Sequence, residues 1–451
     1  MKLTFLGATE TVTGAKYLLE EGNTKILLDC GLFQGQKDLR LRNWQQLDVD
    51  PRNIGTLILS HAHIDHSGYI PLLVKRGFHG TIYATPATYD LCSILLPDTA
   101  YLQEEEAAYA NKLRFSKHTP ALPLYNVEDA KRSLQFFKTV PLKKPVRLDS
   151  KISFCFREAG HILGACMVEI KTPTMKFLYS GDLGRRKPLL HRAADRIKEA
   201  DYLILESTYG DRIHETENPK DHLARVINTT YQQGGTLLIP SFAVGRSQII
   251  LYLLQQLKKE RRIPHLPIYL NSPLAINATE IFLNHPKDHV LSAEESKGLT
   301  DGVRFIRTTD ESKWLNSQEA PSIIISASGM AAGGRILHHL RSKLPDPRNT
   351  VLFVGYQPSG TRGDALLRGK EFIKIFGMEV AVRAKIERID TLSAHADYTE
   401  ILDWLKSFKR PPLTTFIVHG ESGAAHTLAE TITREMGWKC VVPKYEESFG
   451  L

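Results

Sequence analysis

The stretch LILSHAHIDHSGYI, residues 57–70, places three histidines and an aspartate within six positions directly after an apolar run. The apolar run TLILS predicts a buried strand, and SGYIPLLVKRG carries apolar residues at helical spacing. The polar cluster therefore falls on a loop between a strand and a helix. Because ligand sites in open α/β sheets gather at the carboxyl ends of strands, this position favours a functional role.

The polar side chains of this loop, His61, His63, Asp65 and His66, form a candidate metal site. Neutral imidazole nitrogen and carboxylate oxygen are ligands that zinc accepts. Residues 61 and 63 alternate along an extended segment and project to the same side, while the other two turn toward a neighbouring position. A lone histidine is usually a satisfied core or surface residue, but this pattern after a strand is rare by chance. It predicts two metals side by side.

Further donors follow other predicted strands. His161 lies in AGHILGA, Asp182 follows KFLYS, and His419 ends TTFIVHG. The two oxygens of a carboxylate can bridge two cations, which makes the aspartate the candidate bridging ligand. Because seven donors from distant segments must meet, the C-terminal strand is expected to fold back onto the N-terminal half.

Length and pattern predict the domain organisation. The 451 residues exceed what one hydrophobic core usually holds, and 42% hydrophobic with 24% charged residues is typical of a globular protein. Strands alternate with helices, which indicates an α/β class. A fresh series of elements begins near residue 209. We therefore predict a first domain part at 1–208, an inserted α/β domain at 209–370 and a return to the first domain at 371–451.

Composition limits the partners and the compartment. The chain has no basic N-terminal region followed by a long apolar stretch and no membrane-length apolar run, which predicts a cytoplasmic protein without a membrane partner. Five scattered cysteines without a CxxC pair indicate reduced thiols. Lys plus Arg number 58 against 50 Asp plus Glu, a net charge of +8 that weakly favours a polyanionic partner. The glycine-rich stretches lack the GK ending of a nucleotide P-loop, so no ATP binding is expected.

Several motifs resemble a known family. HAHIDH, AGHILGA, YSGD and VHG resemble the metal motifs of the metallo-β-lactamase superfamily. LESTYGDR, SFAVGRSQ, SASGMAAGGR, GYQPSGTRG and LSAHAD resemble the β-CASP nucleases, particularly the group with the endonuclease subunit of the cleavage and polyadenylation specificity factor and its prokaryotic relatives. The resemblance covers essentially the whole chain. It implies an α/β fold, a metallo-β-lactamase αββα sandwich with an inserted α/β β-CASP domain.

The resemblance also implies a metal centre and a substrate. The implied ligands are His61, His63 and His161 for one zinc, Asp65, His66 and His419 for the other, and Asp182 as the bridge. Manganese is an alternative, since His/Asp sites bind it as well. A histidine at position 419 goes with RNA substrates in the family. The implied activity is endonucleolytic cleavage of single-stranded RNA, which leaves a 3′-hydroxyl and a 5′-phosphate.

In addition to Asp65, the resemblance implies two further catalytic residues. Two cations about 3.5–4 Å apart lower the pKa of a shared water toward ~7, which supplies the attacking group. His395 is the candidate proton donor to the leaving oxygen, and Glu206 is the carboxylate that keeps it protonated. Without the resemblance, a buried hydrogen-bonded histidine and a strand-end capping carboxylate are the commoner roles of such residues.

The glycine-rich loops are candidate phosphate contacts, because bare backbone amides can cradle a phosphate. The predicted substrate-binding residues are Ser326, Ser328, Gly329, Arg335 and Arg362. Binding through such contacts should weaken steeply with salt. The alternative is that the glycines only permit tight turns.

Other functions stay open at this stage. A ribonuclease J-like 5′ exonuclease is the nearest alternative, and a homodimer is possible. A non-nuclease metallo-hydrolase of the same superfamily would share HxHxDH but would not need the long second unit or LSAHAD. A non-catalytic RNA-binding paralogue would have lost ligands, whereas all seven are present here.

Overall fold

The computed structural model describes residues 1–113, 118–215, 217–355, 357 and 360–451. The chain folds into two compact units, with Met1–Ile213 and Ala394–Leu451 in unit 1 and His214–Ser393 in unit 2. Residues 356, 358 and 359 of the GYQPSGTRG motif lie outside the described residues. No helix within the described ranges is long and apolar enough to cross a membrane.

The N-terminal part of unit 1 follows the predicted alternation of strands and helices. Its strands are β1 (Lys2–Phe5), β2 (Tyr17–Glu21), β3 (Thr24–Leu28), β4 (Thr56–Ile58), β5 (Thr81–Ala84), β6 (Phe137–Thr139), β7 (Val146–Arg147), β8 (Ser153–Glu158), β9 (Cys166–Lys171), β10 (Lys176–Tyr179) and β11 (Tyr202–Glu206). Its helices are α1 (Lys37–Arg42), α2 (Ile64–Ser67), α3 (Ile70–Lys75), α4 (Pro86–Leu113) and α5 (Val127–Ser133). Pro86 opens α4, where its fixed φ suits the first position of a helix.

Unit 2 is built on a parallel sheet. Its strands are β12 (Thr236–Pro240), β13 (Ile268–Leu270), β14 (Val303–Phe305), β15 (Ser322–Ser326), β16 (Thr350–Val354), β17 (Phe372–Ile375), β18 (Met378–Ala381) and β19 (Lys385–Ile389). Its helices are α6 (Pro219–Gln232), α7 (Arg246–Lys259), α8 (Pro273–Asn284), α9 (Ala293–Gly298), α10 (Thr309–Ser317), α11 (Arg335–Lys343) and α12 (Arg362–Leu367). The sheet order is β14-β13-β15-β12-β16-β19, and β17 and β18 form a separate hairpin.

The end of unit 2 differs from the predicted boundary at residue 370. Strand β19 pairs in parallel with β16 from Thr350↔Lys385 to Val354↔Ile389. Every residue of β16 is buried, so its backbone groups need hydrogen-bond partners that water cannot supply, and β19 supplies them on one side. The hairpin and β19 therefore belong to unit 2, and the chain returns to unit 1 at Ala394.

The C-terminal return completes both sheets of unit 1. It contains α13 (Tyr398–Leu405), β20 (Thr414–Val418), α14 (Ser422–Met436), β21 (Cys440–Val441) and β22 (Ser448–Gly450). The first sheet has the order β22-β1-β2-β3-β4-β5-β6, and the second has the order β21-β20-β11-β10-β9-β8-β7. The tail thus folds back onto the N-terminal half, as the distribution of polar strand ends requires.

The core of unit 1 lies between its two sheets. Phe5 and Tyr17 of the first sheet meet Phe416 and Tyr179 of the second, with ring centroids 5.2 Å apart in both pairs. All four rings are buried in one cluster. The predicted fold class, an α/β sandwich with an inserted second α/β unit, is confirmed.

Candidate metal centre

The candidate ligands of unit 1 lie where strands of both sheets end. His61 and His63 follow β4, and α2 carries Asp65 and His66. His161 follows β8, Asp182 follows β10, Glu206 ends β11, and His419 follows β20. The structure therefore brings together all seven predicted ligands at one end of the sandwich.

The first cluster combines three imidazoles with one carboxylate oxygen. Nδ1 of His63 lies 3.1 Å from Nε2 of His61 and 3.3 Å from Nε2 of His161. Oδ2 of Asp182 lies 3.4 Å and 3.5 Å from the Nε2 atoms of His61 and His161. These atoms are close enough to share one ion.

The second cluster lies on the other side of Asp182. Nε2 of His419 lies 3.0 Å from Nε2 of His66 and 3.5 Å from Oδ2 of Asp65. Oδ1 of Asp182 lies 3.3 Å from Nε2 of His66. The two oxygens of Asp182 thus face different clusters, which is the arrangement of a bridging carboxylate.

The chemistry of the donor set fits divalent metal ions. Oδ1 of Asp182 is buried and accepts no hydrogen bond from the residues that the structure describes. Burial lowers the pKa of His61 and His161 well below the usual range and that of His63 to about 4. These rings are therefore neutral at pH 7 and offer lone pairs, the form that binds a metal.

Asp182 stays charged although it is buried. Burial opposes the charge, but the imidazoles of His419 and His66 outweigh it and hold the pKa of the carboxyl well below its usual range. The centre therefore contains a permanent negative charge between its two clusters.

His395 lies beside the first cluster and is paired with Glu206. Its Nδ1 donates to the Glu206 carboxylate at 3.0 Å, and its ring centroid is 4.4 Å from that of His161. Burial disfavours the charged ring, but the Glu206 carboxylate prevails and raises the pKa of His395 to about 9. The amide of Leu183 donates to the same carboxylate at 2.6 Å and fixes its position. His395 therefore carries a proton at neutral pH.

Exposure distinguishes a closed side of the centre from an open side. His61, His66, Asp182 and Glu206 are buried at 2% exposure or less. The side chains of Asp65 and His395 are 21% and 19% exposed. A substrate can therefore reach the centre from the side of Asp65 and His395.

The residues predicted to contact phosphate lie in unit 2, where they interact with neighbouring residues of the same unit. Ser326 is buried and donates to the carbonyl of Asn271, and the hydroxyl of Ser328 accepts from the amide of Ala332 at 3.0 Å. A Cβ at Gly329 would lie 2.8 Å from the ring of Phe242, so the close approach requires glycine.

The two arginines of this group also hold the fold of unit 2. Arg335 donates to Oδ1 of Asn271 at 2.8 Å and to the carbonyls of Ile306 and Arg307. Arg362 donates to the carbonyls of Lys374, at 2.9 Å, and of Ala331 and Ala332. Their contact with a substrate phosphate stays a prediction.

Two residues that orient the ligands are not among those predicted from the sequence. Asp29 lies 2.7 Å from Nδ1 of His66, and the hydroxyl of Thr208 accepts from Nδ1 of His419 at 3.1 Å. Asp29 directly follows β3, so the rule that placed ligands at strand ends could have found it. Thr208 gave no comparable signal.

The sandwich fold and the paired His/Asp clusters define a metal-dependent hydrolase of the metallo-β-lactamase class. Residues 18–201 match the metallo-beta-lactamase superfamily domain. Residues 247–366 match the Beta-Casp domain, and residues 379–443 match the Zn-dependent metallo-hydrolase RNA specificity domain.

Similar proteins cover nearly the whole chain. It is 35% identical over 430 residues to Ribonuclease TTHA0252 of Thermus thermophilus, with 93% of each protein covered. It is 30% identical to an RNase J-like protein of Methanocaldococcus jannaschii, with 98% of this chain and 97% of that protein covered. It is 28% identical to transcription termination factor FttA of Methanosarcina mazei, with 97% of this chain and 69% of that protein covered. The chain belongs to the β-CASP family of the metallo-β-lactamase superfamily.

A crystal structure of an Enterococcus faecalis protein of unknown function shares the fold. The two structures superpose with a TM-score of 0.57 at 14% identity, over 100% of this chain and 99% of the other.

Proposed function

We propose that this protein is a ribonuclease that hydrolyses phosphodiester bonds of single-stranded RNA with two divalent metal ions, zinc in the first instance and manganese as the alternative. One observation carries the proposal: the two oxygens of Asp182 face two separate clusters, and the protonated His395 lies beside them. Membership of the β-CASP family and the ribonuclease names of two similar proteins support RNA as the substrate. A cytoplasmic location and a homodimer stay predictions.

Each of the two clusters would hold one ion. One ion would be held by His61, His63 and His161, the other by Asp65, His66 and His419, and Asp182 would lie between them. Bound ions would supply Lewis-acid activation of water and of the phosphoryl group. The chain's own contribution is to keep the imidazoles of His61, His63 and His161 neutral and the carboxylates of Asp65 and Asp182 charged.

His395 is the proposed proton donor to the 3′ leaving oxygen. Its Nδ1 is committed to Glu206, so the proton given up is the one on Nε2. A pKa of about 9 keeps this proton in place at neutral pH, and the developing negative charge on the leaving oxygen draws it off. The products would be a 3′-hydroxyl and a 5′-phosphate.

The substitution His395→Ala tests this assignment. We expect both metals to be retained, while cleavage of labelled single-stranded RNA falls by about 10²–10⁴-fold, the usual contribution of a general acid. His426→Ala is the control, since this side chain is 56% exposed and lies outside the centre. If the His395→Ala variant cleaves RNA at the wild-type rate, His395 is not the proton donor.

A 5′ exonuclease is the second candidate, favoured by the 30% identity to an RNase J-like protein. A circular RNA separates the two activities, because only an endonuclease can cut a strand without ends. We expect the circle to be linearised. A protein that degrades only linear RNA from its 5′ end would be the exonuclease, and a protein that cleaves esters but no RNA would be neither.

A further inference from the structure

Residues 185–198, RRKPLLHRAADRIK, form a basic loop between β10 and β11, shortly after Asp182. The loop holds six Lys or Arg residues and one Asp, although the net charge of the whole chain is only +8. Its one acid, Asp195, pairs with Lys143 outside the loop at 3.0 Å. The basic loop therefore concentrates positive charge on one part of unit 1.

The basic loop begins beside the proposed proton donor. Gly184 forms an antiparallel β-bridge with His395, and the amide of Ala396 donates to the carbonyl of Leu183 at 2.8 Å. Arg186 follows Gly184 by two residues, a span of at most about 7 Å along the chain. The first cations of the loop therefore lie near His395, one of the two residues at the open side of the centre.

The loop is also held where it passes the first metal cluster. A Cβ at Gly160, the residue before His161, would lie 2.5 Å from the carbonyl oxygen of Arg192. The amide of Asp195 donates to the carbonyl of Glu158 at 2.9 Å. The fold thus fixes the basic loop beside the centre at two places.

Glu400 holds the start of the loop but leaves two of its cations without an acidic partner. Oε2 of Glu400 accepts from Nε of Arg185 at 2.8 Å, and Oε1 accepts from the backbone amide of Arg186 at 3.1 Å. Arg186 and Lys187 are exposed, and their side chains form no ion pair with the residues that the structure describes. Because uncompensated positive charge at a surface attracts polyanions, these two side chains are suited to bind one.

We propose that Arg186 and Lys187 bind backbone phosphates of the RNA strand on the 5′ side of the scissile bond. His395 is the proposed donor to the 3′ leaving oxygen, and this oxygen belongs to the nucleotide on the 5′ side. The strand that leaves with the 3′-hydroxyl must therefore pass His395, where the basic loop begins. Lys and Arg bind phosphates through charge-assisted hydrogen bonds that carry no sequence information. This inference rests on the proposed function, and it adds the direction of the RNA at the centre.

The double substitution Arg186→Gln with Lys187→Gln, the loop variant, tests whether the basic loop binds RNA. The matched control is Arg147→Gln with Lys151→Gln, which also removes one exposed Arg and one exposed Lys. These two residues flank the start of β8, about 20 Å along this six-residue strand from the end that leads to His161. All four side chains are exposed, so both variants are expected to fold.

Binding is measured separately from cleavage. The anisotropy of a fluorescein-labelled single-stranded RNA gives the affinity at several salt concentrations, with a chelator present so that no strand is cut. Each lost phosphate contact should make the slope of log affinity against log salt shallower by about 0.7. The slope of the loop variant should therefore be shallower by about 1.4, whereas the control variant should keep the wild-type slope.

Uncharged linkages show which side of the scissile bond the loop contacts. An oligoribonucleotide with one mapped cleavage site carries neutral methylphosphonates either on the 5′ side or on the 3′ side of that site. The 5′ set should weaken binding by the wild type but have little further effect on the loop variant, because both changes remove the same contacts. The 3′ set should weaken binding by both proteins equally.

The inference is overturned if the loop variant binds RNA with the affinity and salt slope of the wild type. It is also overturned if the 3′ set, rather than the 5′ set, loses its effect in the loop variant. A wild type that binds RNA but cleaves none when loaded with zinc or manganese would overturn the proposed function and the direction assigned to the strand, and the salt slopes would still decide whether the loop binds RNA. A wild type that binds no RNA would overturn both.

Discussion

His395 keeps its proton at neutral pH because of one buried carboxylate. Glu206 is fully buried and contacts Nδ1 of His395 through both oxygens, at 3.0 Å and 3.2 Å. Burial alone would favour the neutral ring, so the raised pKa of about 9 depends on this pair. Two residues 189 positions apart in sequence thus form one functional unit.

The substitution Glu206→Gln should move the pH profile of cleavage. Without the negative charge, the pKa of His395 falls, and the donor loses its proton at a lower pH. The alkaline limb of kcat/KM, measured from pH 6 to pH 10, should shift to lower pH, while Glu435→Gln on the surface leaves it in place. An unshifted limb would show that Glu206 does not control the proton of His395.

The buried side chain of Lys16 should make the free energy of unfolding depend on pH. Its ammonium donates to the carbonyls of Gly14 and Gly31 and lies 4.5 Å and 4.8 Å from the ring centroids of Phe33 and Tyr69. Burial lowers its pKa from 10.5 to about 8. Between these two pH values the unfolded chain binds more protons than the folded chain, so the folded state gains stability as pH rises.

The comparison of wild type with Lys16→Met isolates this effect. The free energy of unfolding of the wild type, relative to the variant, should rise by about 2 kcal/mol between pH 7 and pH 10. Denaturant unfolding in the presence of a chelator measures both proteins without a metal contribution. Parallel pH curves for the two proteins would mean that Lys16 titrates as an ordinary exposed lysine.

The strand-to-loop junctions are the elements that carry the metal ligands. At one of them, Gly160 precedes His161 with φ +75°, and a Cβ there would lie 2.5 Å from the carbonyl oxygen of Arg192. Glycine is required here for two reasons, the left-handed backbone and the close approach. The position of His161 therefore depends on the residue before it.

Gly160→Ala should destabilise the fold and the first metal cluster together. We expect a loss of about 1–3 kcal/mol in the free energy of unfolding and a several-fold weaker zinc affinity. Gly234→Ala is the matched control, since Gly234 has φ +71° but a Cβ there would meet nothing within 4 Å. Gly234→Ala should lower stability without changing zinc affinity. If both variants lose the same zinc affinity, the position of His161 does not depend on Gly160.

Across the whole molecule, the metal ligands could be predicted from the sequence more readily than the residues that orient them. His61, His161 and His419 each stand after an apolar strand, so local pattern was enough to find them. Asp29 also follows a strand, but its role could not be predicted, because its partners Ser60, His66 and Tyr179 lie 31, 37 and 150 positions away. The pairing of β19 with β16 was missed for the same reason, since strand register depends on contacts distant in sequence.

The metal content of the purified chain tests the central claim most directly. Elemental analysis should find two divalent ions per chain in the wild type and a loss of metal in Asp182→Ala. A chelator should remove the ions and RNA cleavage together, and added zinc or manganese should restore both. A wild-type protein that cleaves RNA at full rate with less than one ion per chain would contradict the two-metal account.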